Sequence, residues 1–278
     1  MIKLACNYMS EVIELIDENR VDIDFLKYPS LSNDEGFRNK EIFYQRIEDI
    51  KKYRSILYHG NFPCNIFIGD KDFKEKFDLD AFRDVCNFAN THGISFHFSG
   101  GKAEYSKEET IKIAVSNIEY IKVSFPEMKF ITIENSPSAK NQHELDPDVI
   151  YQIVEKADIG FLYDISHAYK CSVDQGRKFD EYISRLPLHR LYEMHINGWQ
   201  EKDDDIQAHM CIQEELYEHI EDVVERYPVK ILTLEYGRPN DRIDCGCPIV
   251  KIGTINEDAK KEVENQLVRL QEIIKTKF

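Results

Sequence analysis

KFITIENSPSAKNQHELDPDVIYQIVEKADIGFLYDISH, residues 129–167, holds one full turn of the pattern that organises the chain. It opens on a short apolar run rich in β-branched and aromatic residues, Lys129–Asn135, which reads as a buried strand. Asp146-Pro147 then supplies a helix cap followed by a first-turn proline, and the apolar positions after it recur at helical spacing. A second apolar run, Ile159–Ser166, follows at once. Strand, helix and strand in this order require a crossover, so the two strands are parallel and a helix covers them. Each strand also ends on an ionisable side chain, Glu134 in the first and Asp164 in the second, with His167 three residues further on.

The same unit repeats in both directions. Upstream, IKLACNY (2–8), DIDFLKYP (22–29), SILYHG (55–60) and ISFHFSG (94–100) read as strands. The segments SEVIELIDEN, KEIFYQRIEDIKKY and LDAFRDVCNFANTH read as the helices between them. Gly93 is expected to stop the third helix, and Ser106 with Glu109 forms the S-x-x-E capping box that starts the fourth. Downstream, a helix is expected over about Gln175 to Leu186 and a strand in RLYEMHI (190–196). A polar loop, a helix over about Cys211 to Tyr227, a strand in VKILTLEY (229–236) and a last amphipathic helix from Glu257 to Lys275 complete the series. Eight strand–helix units favour a closed barrel, a single (β/α)8 TIM barrel over residues 1–278, and the length suits one such domain. The segment after the first strand, CNYMSE, has no G-x-G, which counts against a dinucleotide-binding sheet.

Charge and cysteine content narrow the function. With 36 basic and 51 acidic residues the formal net charge is -15, which repels a phosphate backbone and disfavours nucleic acid as a partner. No apolar run approaches the ~20 residues that cross a bilayer, and the N-terminus lacks the pattern of a secretory signal. Seven cysteines, an odd number without a small-disulfide-domain pattern, fit a reducing cytoplasm.

From the third strand onward the strand ends carry His59, His97, Glu134, Asp164 with His167, His195 and Glu235, and His209 lies in the loop after the seventh strand. Taken singly, each has an ordinary explanation: a hydrogen-bonded interior histidine, or a carboxylate in a salt bridge. Burying an ionisable group at the end of an apolar strand is costly without a partner, and independent needs do not place such groups at the same end of successive strands. A metal centre at the C-terminal mouth of a barrel does, and imidazole with carboxylate suits zinc, manganese and ferrous iron.

The order His59, His97, Glu134, Asp164-x-x-His167, His195, 207-x-His209, Glu235 resembles the ligand series of the endonuclease IV/xylose-isomerase-like barrel superfamily. Within it, YHGNFP, SFHFSGG, ITIEN, YDISHAY and EMHINGW look most like the multinuclear non-haem iron oxidative enzymes that modify cysteine-containing peptides. The resemblance implies one ion on His59, His97 and Glu134. It implies a second on Glu134, Asp164, His195 and Glu235, with Glu134 as a bridging and catalytic carboxylate, and a third on His167 and His209. Gln207 stands where the family pattern has aspartate, and a neutral amide is a weaker ligand, so either two or three divalent ions are expected, iron ahead of zinc or manganese. The implied substrate is a peptide or thiol-bearing small molecule, presented by a partner protein. Arg238 is a candidate for pairing with a substrate anion, and a surface ion pair explains it equally well. Asn7, Tyr8, Lys27 and Tyr28 are candidates for the pocket wall, as are Asn197 and Trp199. Cys245 and Cys247 read as loop thiols.

Three other readings use the same residues: a phosphodiester hydrolase with clustered ions, a sugar isomerase or epimerase with fewer, and a barrel that binds without turnover. The near-complete ligand set disfavours the last.

Overall fold

In the computed structural model, residues 1–29, 39–202, 205–237 and 252–276 are described. In chain order the elements are β1 (Lys3–Asn7), α1 (Ser10–Asp17), β2 (Phe25–Tyr28), α2 (Lys40–Lys51), β3 (Ser55–Tyr58), α3 (Phe73–Lys76), α4 (Leu79–Ala89) and β4 (Gly93–His97). They continue with α5 (Lys107–Ser124), β5 (Phe130–Glu134), α6 (Pro147–Ala157), β6 (Gly160–Asp164), α7 (Ile165–Asp174), α8 (Phe179–Ile183) and β7 (Leu191–Ile196). The last are β8 (Gly198–Lys202), β9 (Asp205–Met210), α9 (Glu214–Arg226), β10 (Ile231–Leu234) and α10 (Glu257–Lys275). Eight strands form one sheet in the order β3-β2-β1-β10-β7-β6-β5-β4, while β8 and β9 pair separately. The two ends of that order meet through a parallel bridge from His59, just past β3, to Ser95 in β4. The fold is a (β/α)8 barrel, as the alternation requires.

Contacts group the chain into two compact units, Met1–Tyr58 with Met194–Phe278, and His59–Glu193. In the first, β1 pairs in parallel with β10 and with β2. Helices α1 and α10 bury Val12, Leu15, Val263 and Leu267. Lys260 ties the two helices by reaching Glu14 at 2.6 Å and Glu18 at 2.9 Å.

In the second unit, α4 buries Phe82, Val85, Cys86 and Ala89, the i, i+3, i+4, i+7 stripe of an amphipathic helix. Phe82 stacks on Phe96 of β4 at 5.9 Å between ring centroids and meets Phe125 edge-on at 5.5 Å. Each such buried ring contributes roughly 1.5–3 kcal/mol. Helix α5 has its full capping box at Ser106 and Glu109, and α6 starts on the Asp146 cap with Pro147 behind it, both as read from sequence.

Four expectations are corrected. Asn90, in the left-handed region at φ 52, ends α4, and Gly93 is instead the first residue of β4. A Cβ there would come within 2.1 Å of the Phe130 ring, so the glycine permits a close approach of neighbouring strands. The helix expected over 175–186 begins ten residues earlier: α7 springs directly from β6, with Asp164 as last strand residue and N-cap, and only the short α8 lies inside the expected range. The polar loop after β7 is an antiparallel hairpin, β8–β9, with Gln200 opposite Gln207. His209 is accordingly a strand residue, and it takes a positive φ of 63.

Candidate metal centre

Five consecutive strands of the sheet, β10, β7, β6, β5 and β4, carry Glu235, His195, Asp164, Glu134 and His97 at or within one residue of their C-terminal ends. His59 directly follows β3.

Within the unit His59–Glu193, three donors converge. His59 Nε2 lies 3.2 Å from His97 Nε2 and 3.1 Å from Glu134 Oε2, and His97 Nε2 lies 3.0 Å from the same oxygen. Ligands bonded at about 2.1 Å stand about 3.0 Å apart on adjacent octahedral vertices and about 3.4 Å apart on tetrahedral ones, so the spacing fits a shared cation. Glu134 is 1% exposed whereas the His97 side chain is 44% exposed, which leaves this group a solvent-facing side.

The second oxygen of Glu134, Oε1, lies 3.4 Å from His167 Nδ1. That ring nitrogen also faces the Asn135 carbonyl at 2.9 Å. An Nδ1–H donated there leaves Nε2 without a proton and so able to ligate a cation, the way an outer carbonyl commonly fixes a histidine tautomer. Asn135 itself exchanges side-chain hydrogen bonds with the Asp164 backbone, at 2.9 Å to its carbonyl and 2.8 Å from its N–H. Asp164 Oδ1 accepts from Ser166 Oγ and from the His167 N–H, both at 2.8 Å. One face deeper, Ser95 Oγ donates to Glu193 at 3.1 Å and accepts from Thr132 at 2.8 Å.

Within the other unit, Glu235 is the hub. Its Oε1 is ion-paired with Lys27, and its Oε2 faces His195 Nδ1 at 3.3 Å and His209 Nε2 at 3.6 Å. Burial alone would push this carboxyl up, but His195, Lys27 and His209 together hold it well below the usual value of 4.5. The Asn197 side chain accepts from the His209 N–H at 3.1 Å and so fixes the backbone that aims the ring. His209 Nδ1 is buried with no hydrogen-bond partner. Gln207 is committed elsewhere: its Oε1 accepts from Gln200 Nε2 at 2.8 Å across the hairpin.

His59, His97, Glu134, Asp164 and His167 thus lie together in one unit, and His195, His209 and Glu235 in the other. Arg238, Cys245 and Cys247 lie outside the described residues. Sequence reading places Lys27 on a pocket wall and misses its pairing with Glu235. It also passes over Asn135, although an amide directly after a strand-end carboxylate is a visible signal for an outer hydrogen bond.

The chain matches the family model of the RiPP precursor modification enzyme MbnB/TglH/ChrH over residues 6–238. No curated relative matches it in sequence. Among solved structures, a D-tagatose 3-epimerase-like protein superposes with a TM-score of 0.62 at 17% identity, covering 100% of both chains. A xylose isomerase domain containing protein from Salmonella typhimurium gives 0.64 at 12% identity, covering 98% of this chain and 97% of that one. Endonuclease IV from Thermus thermophilus gives 0.56 at 15% identity, covering 97% and 99%. At these identities the likeness is one of fold. No helix among the described residues is long and apolar enough to cross a membrane.

Proposed function

The chain belongs to the RiPP precursor modification enzyme MbnB/TglH/ChrH family, and from that premise we propose that it is an iron-dependent oxidative enzyme acting on a thiol-bearing precursor peptide. The observation that carries the reading is the 3.0–3.2 Å convergence of His59 Nε2, His97 Nε2 and Glu134 Oε2. These three would hold one ion. Glu134, Asp164, His195 and Glu235, at the ends of four consecutive strands, would hold a second. Mixed imidazole and carboxylate ligation suits ferrous iron and leaves coordination positions for other ligands. Bound iron supplies electron transfer and a Lewis acid for a substrate thiolate.

The chain's own residues prepare the place for that chemistry. His97, open to solvent on one side, marks the side from which substrate enters. Asn135 and Ser166 lock Asp164 and His167 before any ligand arrives, so little ordering is left to the binding step. Gln207, engaged with Gln200, adds no charge near His209, and the centre works with two ions.

Anaerobic purification followed by elemental analysis and Mössbauer spectroscopy tests the reading. Two equivalents of iron, and oxygen uptake on adding a cysteine-containing precursor peptide, are expected. A protein that binds zinc tightly in place of iron and consumes no oxygen with any such peptide would sink the oxidative assignment.

A further inference from the structure

Lys27 is a buried cation, 4% exposed, whose ammonium is ion-paired with Glu235 Oε1. The sheet order here is β2-β1-β10, so the pair spans the strand that ends in Asn7. Asn7 is in register with Lys27 and one step beyond the pairing of Cys6 with Leu234. Its side chain is fully buried, and neither the amide oxygen nor the amide nitrogen has a hydrogen-bond partner. A buried amide left unsatisfied is costly, and its oxygen is a ready acceptor beside a cation that already has one.

We propose that Lys27 is a built-in competitor for the cation at Glu235, holding the carboxylate until a divalent ion displaces it to the Asn7 amide oxygen. The inference rests on the metal-centre reading given above. A buried carboxylate needs a counter-charge, and the ammonium supplies one while the ion is absent. An arriving dication binds the same carboxylate, and two cations on one carboxylate repel each other at contact distance. The ammonium therefore leaves Oε1 as the ion enters, and Asn7 Oδ1 receives it. This exchange keeps the unloaded centre in shape and makes the ion at Glu235 the more readily exchanged one.

Cobalt(II) titration under anaerobic conditions, followed by its visible absorption and by bound stoichiometry, tests the exchange without any turnover. Lys27→Met removes the competitor, and its cobalt affinity at the Glu235 site should rise by about tenfold or more. Lys27→Arg keeps the positive charge and should stay close to the unaltered protein. Asn7→Leu removes the alternative acceptor, and its affinity should fall by several-fold, the opposite sign. Should Lys27→Met not fold, Lys27→Arg and Asn7→Leu decide the matter. Unaltered or weaker binding in Lys27→Met, or unaltered binding in Asn7→Leu, overturns the competitor while leaving the metal centre standing. Failure of the unaltered protein to bind cobalt at all overturns both.

Discussion

Glu144 lies in a tight turn between β5 and α6 with no exposed surface, and its Oε1 accepts a single hydrogen bond, from the Gly101 N–H at 2.7 Å. Its other oxygen is buried without a partner. Burial pushes this carboxyl up to about 7 from the usual 4.5, the Gly101 bond opposes the rise, and Asp70 adds to it. The folded state therefore holds a proton that the unfolded chain has lost between those two values, and stability falls as pH rises through the window. The penalty is fully present above about 7 and amounts to about 3 kcal/mol at most. Glu144→Gln keeps the Gly101 bond and abolishes the titration. Its urea midpoint should exceed that of the unaltered protein at pH 8 and match it near pH 4.5, and equal midpoints at pH 8 would show that the carboxyl is not strained. Glu134 is read by the same logic of two oxygens. Because Oε2 faces His59 and His97 and leaves Oε1 for the second ion, Glu134→Ala should remove more than one equivalent of bound metal, and loss of a single equivalent would refute the bridge. At Gln207 the expected change is a gain. Gln207→Asp should add an equivalent of metal if missing charge is what keeps His209 from holding an ion, whereas three ions already tight in the unaltered protein would end the two-metal reading.

Elements in this chain are held at their ends by a few named groups, and the Ser106 cap of α5 is a clean case. Both halves of its box are formed, with Glu109 N–H on Ser106 Oγ at 3.2 Å and Ser106 N–H on Glu109 Oε2 at 3.1 Å. Ser106→Ala should cost about 1 kcal/mol, read as a lower urea midpoint with unchanged slope and unchanged metal content. That cap is visible in the sequence, as are Asp146-Pro147 and the apolar strands ending in His97, Glu134 and Asp164, because each depends on neighbours within a few residues. What is not visible depends on groups distant in sequence or on one residue serving two purposes. Asp164 both ends β6 and caps α7, so no loop separates the two and the pattern alone puts the helix start too late. The hairpin β8–β9 is hidden because its polar residues satisfy one another across the pair, as Gln200 and Gln207 do, without a buried face to give alternation. Lys27 offers no local hint of Glu235, which lies more than two hundred residues away in the chain. Gly93 looks like a helix stop because glycine commonly is one, and its real constraint, the ring of Phe130, is known only once β4 and β5 are paired.

On the scale of the molecule the governing quantity is charge. The chain carries a net -15, yet Glu134, Asp164, Glu193 and Glu235 are all buried, at 1%, 0%, 1% and 3% exposure. Repulsion among so many acidic groups already opposes compaction, and carboxylates withdrawn from water add a desolvation cost. Lys27, His195 and His209 offset part of this at Glu235. On the metal-centre reading a divalent cation offsets the rest, and it binds the folded chain alone because only folding brings these strand ends into one sheet. Such a ligand stabilises by mass action, by about 2.7 kcal/mol at a hundred times its dissociation constant. Chelation should therefore lower the denaturation midpoint, and readdition of ferrous iron or cobalt should restore it in proportion to the logarithm of the free ion concentration. Lys27→Met gives this expectation its sharpest form: it should be less stable than the unaltered protein when stripped, because Glu235 has lost its counter-charge, and should gain more from the same ion. If chelation and reloading leave both midpoints where they were, the buried carboxylates are balanced by the protein's own cations, and the metal contributes nothing to holding the fold together.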